Sequence, residues 1–347
     1  MSTAGAQARK VAVIGSGSWG TAFCGLAAPH AEEIALWCRD ASVAEAVNAT
    51  GRNPRHLDDY DLPGNVRATA DAGRALAGAE LVVLALPSAH LRTTCERIRD
   101  DVQEDSLVVV LTKGMEQGTH RLMLDVAADV IGRPGRMAVL SGPNHAEEIC
   151  RGQVSAAVVA SSEPQVAARV QELVASERFR AYVSRDVVGV EVCGAVKNVV
   201  AIACGVAAGL GAGDNTLAVL MTRGIAEIGR LSSALGGDPL TPMGLAGMGD
   251  LVATCTSRHS RNRTFGEALV AGESLEAYEA RTGMVVEGAR AAMSVNELAL
   301  ERGIEAPITS AVHGVLVDGL DTEAARTALL GRLPREEFYG MPASRKE

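Results

Sequence analysis

The first part of the chain alternates short apolar runs with stretches of helical periodicity. The runs KVAVIG (10–15), EIALWC (33–38), ELVVLAL (80–86), SLVVVLT (106–112) and MAVLSG (137–142) are rich in β-branched residues and bounded by Gly, Pro or Asp. Short strands of this kind, each followed by a helix or loop, predict βα units around a parallel sheet buried on both faces. VSAAVVA (154–160), a helical stretch from Pro164 and FRAYVS (179–184) extend the sheet. After about residue 186 the strand signals stop and helical periodicity takes over. Asp214 is placed to cap a helix with Leu217, Leu220, Met221, Ile225, Ile228 and Leu231 on one face, stopped at Gly236–Gly237. Thr241–Pro242 reads as the cap and first position of another helix. Further helices are expected over 261–270, 286–302, 307–318 and 322–330. The pattern therefore predicts an α/β Rossmann-like amino-terminal domain with a mostly parallel sheet (1–186) and an all-helical carboxy-terminal domain (187–347). A chain of 347 residues can build two such cores. The longest uncharged run, 198–213, is interrupted by Gly and short for a bilayer, so it reads as a buried core helix.

The first strand runs into VIGSGSWGTA, which places Gly15, Gly17 and Gly20 in the spacing G-x-G-x-x-G. That spacing between a strand and a helix allows a tight turn and close approach of the backbone to a pyrophosphate. Trp19 inside the turn is either a packing residue or a ring lying along the cofactor diphosphate. The second strand ends LWCRD. An acidic residue at such an end binds the ribose 2′-hydroxyl of NAD, whereas an Arg accommodates the 2′-phosphate of NADP. Arg39 leans toward NADP; a plain surface arginine is the alternative, and Asp40 beside it pulls the other way.

Ligands of doubly wound sheets bind beyond the carboxyl ends of the strands. LPSAH, LTKG and SGPNHAEE fall there, bringing Lys113, the Gly142–Pro143 turn and Asn144, which is placed to open a helix. Lys113 reads as a contact to substrate or cofactor, against a solvated lysine at a sheet edge; His145 reads mostly as loop or interface. Farther on, VEVCGAVKNVVAIACG puts Lys197 on a helical face of small and apolar residues. Burying an unpaired charge is costly, and a lysine so placed has its pKa pushed down toward the range useful for proton transfer. Asp250, after the glycine run GLAGMGD, is the natural counter-charge. Ser260 can cap a helix whose first turn holds Arg261, Asn262 and Arg263. Cations there oppose the helix dipole, and a bound anion reverses that conflict, so the segment reads as a phosphate pocket rather than a solvated basic patch.

Composition narrows the function. The chain is 47% apolar with 3% aromatic residues, so its core is built of Ala, Val and Leu. A net charge of −9 argues against a nucleic-acid or membrane-surface partner. The seven cysteines are scattered without C-x-x-C spacing, and the seven histidines lack metal-ligand spacing. Both point to reduced thiols in the cytoplasm and to no metal site. MSTAGAQARK has no apolar stretch of the secretory kind.

GSGSWGTA, LTKGME, SGPNHAEEI, GAVKNVVAIACG, GLAGMGDLVATCTS, SRNRTFGEAL and VVEG occur in the order and spacing of one family. Over about residues 10–320 the chain closely resembles the bacterial-type NAD(P)-dependent sn-glycerol-3-phosphate dehydrogenases. The resemblance implies reduction of dihydroxyacetone phosphate to sn-glycerol 3-phosphate, a supply step for phospholipid synthesis, with NADP or NAD as cofactor and NADPH slightly favoured. It implies that Ser18, Trp19, Arg39, Lys113, Ala146, Arg261, Val285 and Glu287 contact the cofactor beside Gly15, Gly17 and Gly20. It assigns Lys113, Gly142, Asn144, Asp250, Ser260, Arg261 and Asn262 to the substrate and makes Lys197 the proton acceptor. Asn144 stands where many members carry Ser or Thr. On this reading Lys113 polarises the ketone and Asp250 orients Lys197. The partner is a small phosphorylated molecule, and the apolar helical domain makes a homodimer plausible. Two rival readings remain at the level of sequence: a similar dehydrogenase of 2- or 3-hydroxy acids, and a non-catalytic NAD(P) sensor.

Overall fold

The computed structural model describes residues 7–333, 336–337 and 339–340. The first six residues of the amino-terminal segment and the last seven of the carboxy-terminal domain assignment lie outside them. In chain order the elements of the first part are β1 (Ala8–Ile14), α1 (Ser18–Ala27), β2 (Ala31–Trp37), α2 (Ala41–Thr50), β3 (Val66–Thr69), α3 (Ala72–Leu76), β4 (Leu81–Leu84) and α4 (Ser88–Ile98). They continue with β5 (Leu107–Val110), α5 (Met123–Ile131), β6 (Met137–Ser141), α6 (Ala146–Cys150), β7 (Ser155–Ala160), α7 (Pro164–Val174) and β8 (Phe179–Ser184). Helices follow: α8 (Val187–Gly209), α9 (Asp214–Ala234), α10 (Asp250–Thr256), α11 (Arg261–Val270), α12 (Leu275–Thr282), α13 (Glu287–Arg302), α14 (Pro307–Leu316) and α15 (Thr322–Leu330).

The strands form one 8-stranded sheet in the order β3-β2-β1-β4-β5-β6-β7-β8. All neighbours are parallel except β6 and β7. Strand order reverses at β1, which pairs with β2 on one side and β4 on the other. The carboxyl end of β1 is thus the topological switch point of a doubly wound sheet. The central strands bury both faces: Leu81, Val82, Val83 and Leu84 are all inaccessible, as are Val11 to Ile14. This is why those runs read as continuously apolar. Phe23, Ile34, Leu36 and Phe179 fill the same core.

Several elements differ from the hydrophobic pattern. β3 was not predicted; it is a four-residue edge strand with Arg67 exposed, too short to show an alternation. α9 is capped by Gly213, with Asp214 inside the first turn, where its carboxylate still faces the positive end of the helix. Thr241–Met243 is a single 3-10 turn capped by Leu240, followed by a π-helical turn at Leu245–Gly249 that runs into α10. A Cβ at Gly247 would lie 2.1 Å from the Pro242 carbonyl oxygen, so this close approach replaces the regular helix expected there. Helix α6 starts at Ala146, after His145, rather than at Asn144. α12 buries only Tyr278 and carries no apolar stripe, so its ends are its signal: Ser274 caps it and Gly283 closes it in the left-handed conformation.

The chain divides into two compact units, Met1–Thr112 with Met123–Val187, and Lys113–Leu122 with Val188–Glu347. The segment Lys113–Leu122 leaves the first unit after β5 and belongs to the second, an excursion that a division at one chain position does not describe. In the second unit, α8 is apolar and long enough to cross a membrane, but 89% of its most apolar window is buried in the protein. It is the central core helix of that unit, with every residue from Gly189 to Gly205 buried.

Candidate active site

In the first unit, β1 delivers the chain into the glycine turn. Gly15 has φ 118°, and a Cβ there would stand 2.3 Å from the Ala85 carbonyl oxygen; a Cβ on Gly20 would stand 1.9 Å from the Gly15 carbonyl oxygen. Neither position admits a side chain. Gly17 is different, with nothing within 4 Å of its would-be Cβ. It caps α1 with no side-chain acceptor, so no side-chain cap claims the first amides of the helix beside an open space. Such a cradle of unclaimed donors fits a pyrophosphate. Ser18 opens α1, and Trp19 meets Phe23 edge-on at 6.0 Å while remaining half-buried. Behind the turn sits Asn53, fully buried, whose Nδ2 donates to the Ser16 carbonyl at 2.8 Å and to Thr21 Oγ1 at 2.9 Å. The sequence reading missed Asn53; a buried amide serving a backbone carbonyl leaves no periodic trace.

At the end of β2, Arg39 is exposed, and among the described residues no hydrogen bond or ion pair holds its guanidinium. Asp40 caps α2, accepting from Ser42 N at 3.0 Å and Ser42 Oγ at 2.8 Å, and pairs with Arg55. The Ser42 bonds, then Arg55, hold its carboxyl below the usual range. At the end of β6, a Cβ on Gly142 would lie 2.6 Å from the Ala156 carbonyl oxygen. Asn144 Nδ2 donates to that same carbonyl at 2.9 Å, and its Oδ1 is buried with no hydrogen-bond partner. An orphaned buried acceptor beside the strand ends suits a ligand donor. Ala146 is buried at the start of α6. A crevice of about 700 Å³ elsewhere in this unit, lined by Arg9, Glu80, Asp105, Arg136 and Arg169, lies at the amino ends of the strands and involves none of these residues.

In the second unit, α8 carries Lys197 into the core, 6% exposed. Its charge is not unpaired. Nζ donates to Asp250 Oδ1 at 2.7 Å and to Thr254 Oγ1 at 2.6 Å. Lys113 Nζ donates to the other carboxylate oxygen of Asp250 at 2.5 Å. The Thr254 hydroxyl in turn donates a hydrogen bond to the Asp250 carbonyl oxygen at 2.6 Å. Burial pushes the Lys197 pKa down to about 8; Asp250 opposes the shift and Lys113 adds to it. Burial works to raise the Asp250 carboxyl, but Lys113 and Lys197 outweigh it and hold the group below its ordinary value. Thr254 was missed in the sequence, although its position one helical turn after Asp250 in GDLVATCTS is a signal that could have found it.

Ser260 caps α11, its Oγ accepting from Arg263 N at 3.3 Å. Asn262 is buried and bonded on two sides: Nδ2 donates to Asn198 Oδ1 at 2.8 Å, and Oδ1 accepts from Gly288 N at 2.9 Å. This ties the residue beside Lys197 to the first turns of α11 and α13. Arg261 is exposed, with Nη1 3.5 Å from the Val285 carbonyl oxygen, and Glu287 opens α13 close by. The structure thus gathers Lys113, Lys197 and Asp250 in one cluster and Ser260, Arg261, Asn262, Val285 and Glu287 in an adjoining one. Arg263 turns away, donating to the Thr256 carbonyl at 2.7 Å and pairing with Glu267 at 3.2 Å. Of the two arginines in this first turn, Arg263 is thus engaged by its own helix and the segment before it. All seven cysteines are free, and Cys150 alone among them is more than slightly accessible.

The profile described as NAD-dependent glycerol-3-phosphate dehydrogenase N-terminus matches residues 10–167, and that described as NAD-dependent glycerol-3-phosphate dehydrogenase C-terminus matches 186–327. Among similar proteins, glycerol-3-phosphate dehydrogenase [NAD(P)+] of Nocardia farcinica is 48% identical over 335 residues, covering 94% of this chain and 99% of the relative. That of Thermobifida fusca is 47% identical over 334 residues, covering 96% and 99%. The crystal structure of glycerol-3-phosphate dehydrogenase from Coxiella burnetii superposes with a TM-score of 0.88 at 36% identity, covering 93% of this chain and 99% of that one. A ketopantoate reductase from Ralstonia eutropha, 17% identical with a TM-score of 0.59, shares the fold alone.

Proposed function

The chain belongs to the NAD-dependent glycerol-3-phosphate dehydrogenase family, and on that premise we propose how its own residues carry out the reduction of dihydroxyacetone phosphate to sn-glycerol 3-phosphate. The domain carrying the glycine turn (1–186) binds NAD(P), and the helical domain (187–347), joined by Lys113, carries the acid–base and phosphate-binding groups. When bound, the nicotinamide cofactor supplies the hydride that reduces the ketone carbon. The chain supplies the proton. The observation that carries this reading is the buried ammonium of Lys197, whose pKa lies at about 8 and whose hydrogen bonds to Asp250 and Thr254 are already fixed. An ammonium has three donors, so one remains for the substrate oxygen. Lys197 gives its proton to that oxygen in reduction and takes it back in oxidation. Lys113 polarises the same oxygen, and Asp250, bridging both amines, fixes their spacing.

The substrate phosphate is held by Arg261, Asn262, Ser260 and the first amides of α11. Gly142 and the free acceptor of Asn144 contact the substrate, while Gly15, Gly17, Ser18, Trp19, Gly20, Arg39, Lys113, Ala146, Arg261, Val285 and Glu287 contact the cofactor. Arg39 supports a modest preference for NADPH. The net charge of −9 argues against nucleic-acid and membrane partners, the scattered cysteines support a cytoplasmic enzyme, the apolar helical domain supports a homodimer, and the family setting supports a role in phospholipid synthesis. A steady-state assay of the purified chain with NADPH and with NADH, offering dihydroxyacetone phosphate, pyruvate and ketopantoate in parallel, tests the reading. Oxidation of the cofactor with dihydroxyacetone phosphate alone is expected. Turnover of a keto acid instead, or cofactor binding without any turnover, would contradict it.

A further inference from the structure

The end of β2 holds a contradiction that the structure resolves. Arg39 invites a 2′-phosphate, and Asp40 beside it should repel one and accept ribose hydroxyls instead. Both carboxylate oxygens of Asp40, however, are already engaged. Oδ1 accepts from the amide and hydroxyl of Ser42, capping α2, and Oδ2 is paired with Arg55. Arg55 reaches this position from the loop after α2, far along the chain. Its backbone amide donates to Asn53 Oδ1 at 3.1 Å, and the amide nitrogen of the same Asn53 is bonded to the Ser16 carbonyl inside the glycine turn at 2.8 Å. One buried side chain therefore sets Arg55 against the turn that cradles the pyrophosphate. The Arg55 side chain is 57% exposed, so the pair stands open to a ligand, and an open ion pair of this kind contributes little to stability. With Asp40 neutralised, Arg39 and Arg55 leave this strand end with a net positive charge and two guanidiniums, the group best matched to phosphate oxygens.

The geometry points to Arg55 as a specificity-determining residue: by occupying Asp40 it converts an acid that would select NAD into part of a site that accepts the 2′-phosphate of NADP. This rests on the dinucleotide reading above and adds the residue that sets the choice.

The test is binding rather than turnover. NADPH and NADH differ only at the 2′ position, and each is titrated against the purified full chain by fluorescence. Wild type is expected to bind NADPH more tightly than NADH. In Arg55→Ala the ratio of the two affinities should fall at least tenfold, chiefly through weaker NADPH binding. In the double variant Arg55→Ala with Asp40→Asn, NADPH affinity should return to within about threefold of wild type, because Asn still caps the helix but carries no charge. Equal weakening of both cofactors, an unchanged ratio, or a double variant as weak as the single one would each overturn the role of Arg55. A wild-type chain that binds neither cofactor would overturn the dinucleotide reading itself, a result distinct from any of these.

Discussion

At Lys197 burial favours the neutral amine and Asp250 favours the ammonium, and their balance leaves the group near pH 8 rather than at the 10.5 of a free lysine. At neutral pH it is therefore mostly charged and able to donate, yet close enough to its midpoint to accept. The two directions of the reaction should then respond oppositely to pH. Oxidation of glycerol 3-phosphate needs the free amine and should rise through about pH 8 to a plateau; ketone reduction needs the ammonium and should fall over the same interval. Lys197→Met keeps the apolar stem and removes both activities. Turnover should drop by roughly 10²–10⁴-fold, the range for loss of a general acid–base, while NADPH affinity measured by fluorescence stays within about twofold. A wild-type profile with its midpoint near the free-lysine value, or a methionine variant that turns over normally, would remove Lys197 from proton transfer. The stability sign follows from the same shift. Between about 8 and 10.5 the unfolded chain holds the proton and the folded one does not, so the penalty of burying this amine is present below that window and relieved as pH rises through it.

At the scale of elements, the cluster depends on how closely α11 lies against α8. A Cβ on Gly266 would fall 2.2 Å from the Ile202 carbonyl oxygen, and one on Gly205 would fall 2.0 Å from the Arg263 carbonyl oxygen. Backbone meets backbone there, which brings Asn262 within reach of Asn198 and sets the capped start of α11 beside the helix of Lys197. In an open helix Gly→Ala stabilises by about 1 kcal/mol. At Gly266 the added methyl has to push the helices apart, an overpacking cost of about 1–3 kcal/mol, so the sign should reverse. Gly266→Ala is expected to lower Tm and to raise the KM for dihydroxyacetone phosphate at least threefold, with a smaller change in kcat. A stabilised variant with unchanged KM would show that this contact does not hold the phosphate site. Such contacts explain what was legible in the sequence. The apolar runs of β1, β2 and β4 to β7 could be read because each buries most of its side chains, whereas β8 buries only Phe179 and Ala181 and shows as an alternation. The glycine turn, the Lys197 face and the capped start of α11 could be read because local spacing carries their chemistry. β3 is too short to show a period, and α12 is stabilised by its ends rather than by a stripe. The roles of Asn53 and Arg55 depend on partners distant in sequence or on backbone atoms, which side-chain periodicity does not record; Thr254 carries a local signal, one turn after Asp250, but its bond to Lys197 leaves none. The excursion Lys113–Leu122 is likewise a property of the tertiary structure.

At the scale of the whole molecule, the carboxylates of Asp250 and Glu227 both lie almost fully out of water and are answered in different ways. Asp250 is met by two ammoniums, and its lowered pKa means that it adds stability above its usual 3.8, lost as pH falls through the folded value. Glu227 on α9 is met by a helix instead. Its Oε2 accepts from Ile308 N at 2.8 Å, and its Oε1 accepts from Thr309 N at 2.9 Å and Thr309 Oγ1 at 2.6 Å, so it closes the amino end of α14 from another element. Burial raises this carboxyl above 4.5 against the pull of those bonds, so its linkage has the opposite sign: its contribution is largest below 4.5 and declines as pH rises through the folded value. Acid loss of stability should therefore trace to the Asp250 cluster and not to Glu227. At neutral pH, Glu227→Ala leaves the amides of Ile308 and Thr309 and the Thr309 hydroxyl without their acceptor inside the core. Orphaned buried groups cost about 1–3 kcal/mol each, and with partial relaxation the total should be about 3 kcal/mol. For a domain of roughly 150–250 residues that corresponds to a fall in Tm of about 6–12 °C. Glu227→Gln retains one acceptor oxygen and should lose clearly less. The folded fraction of both variants should keep the kcat of wild type, since Glu227 touches none of the cluster at Lys197. A Glu227→Ala protein as stable as wild type would show that α14 is held by its apolar contacts alone, with the carboxylate incidental to the helical unit.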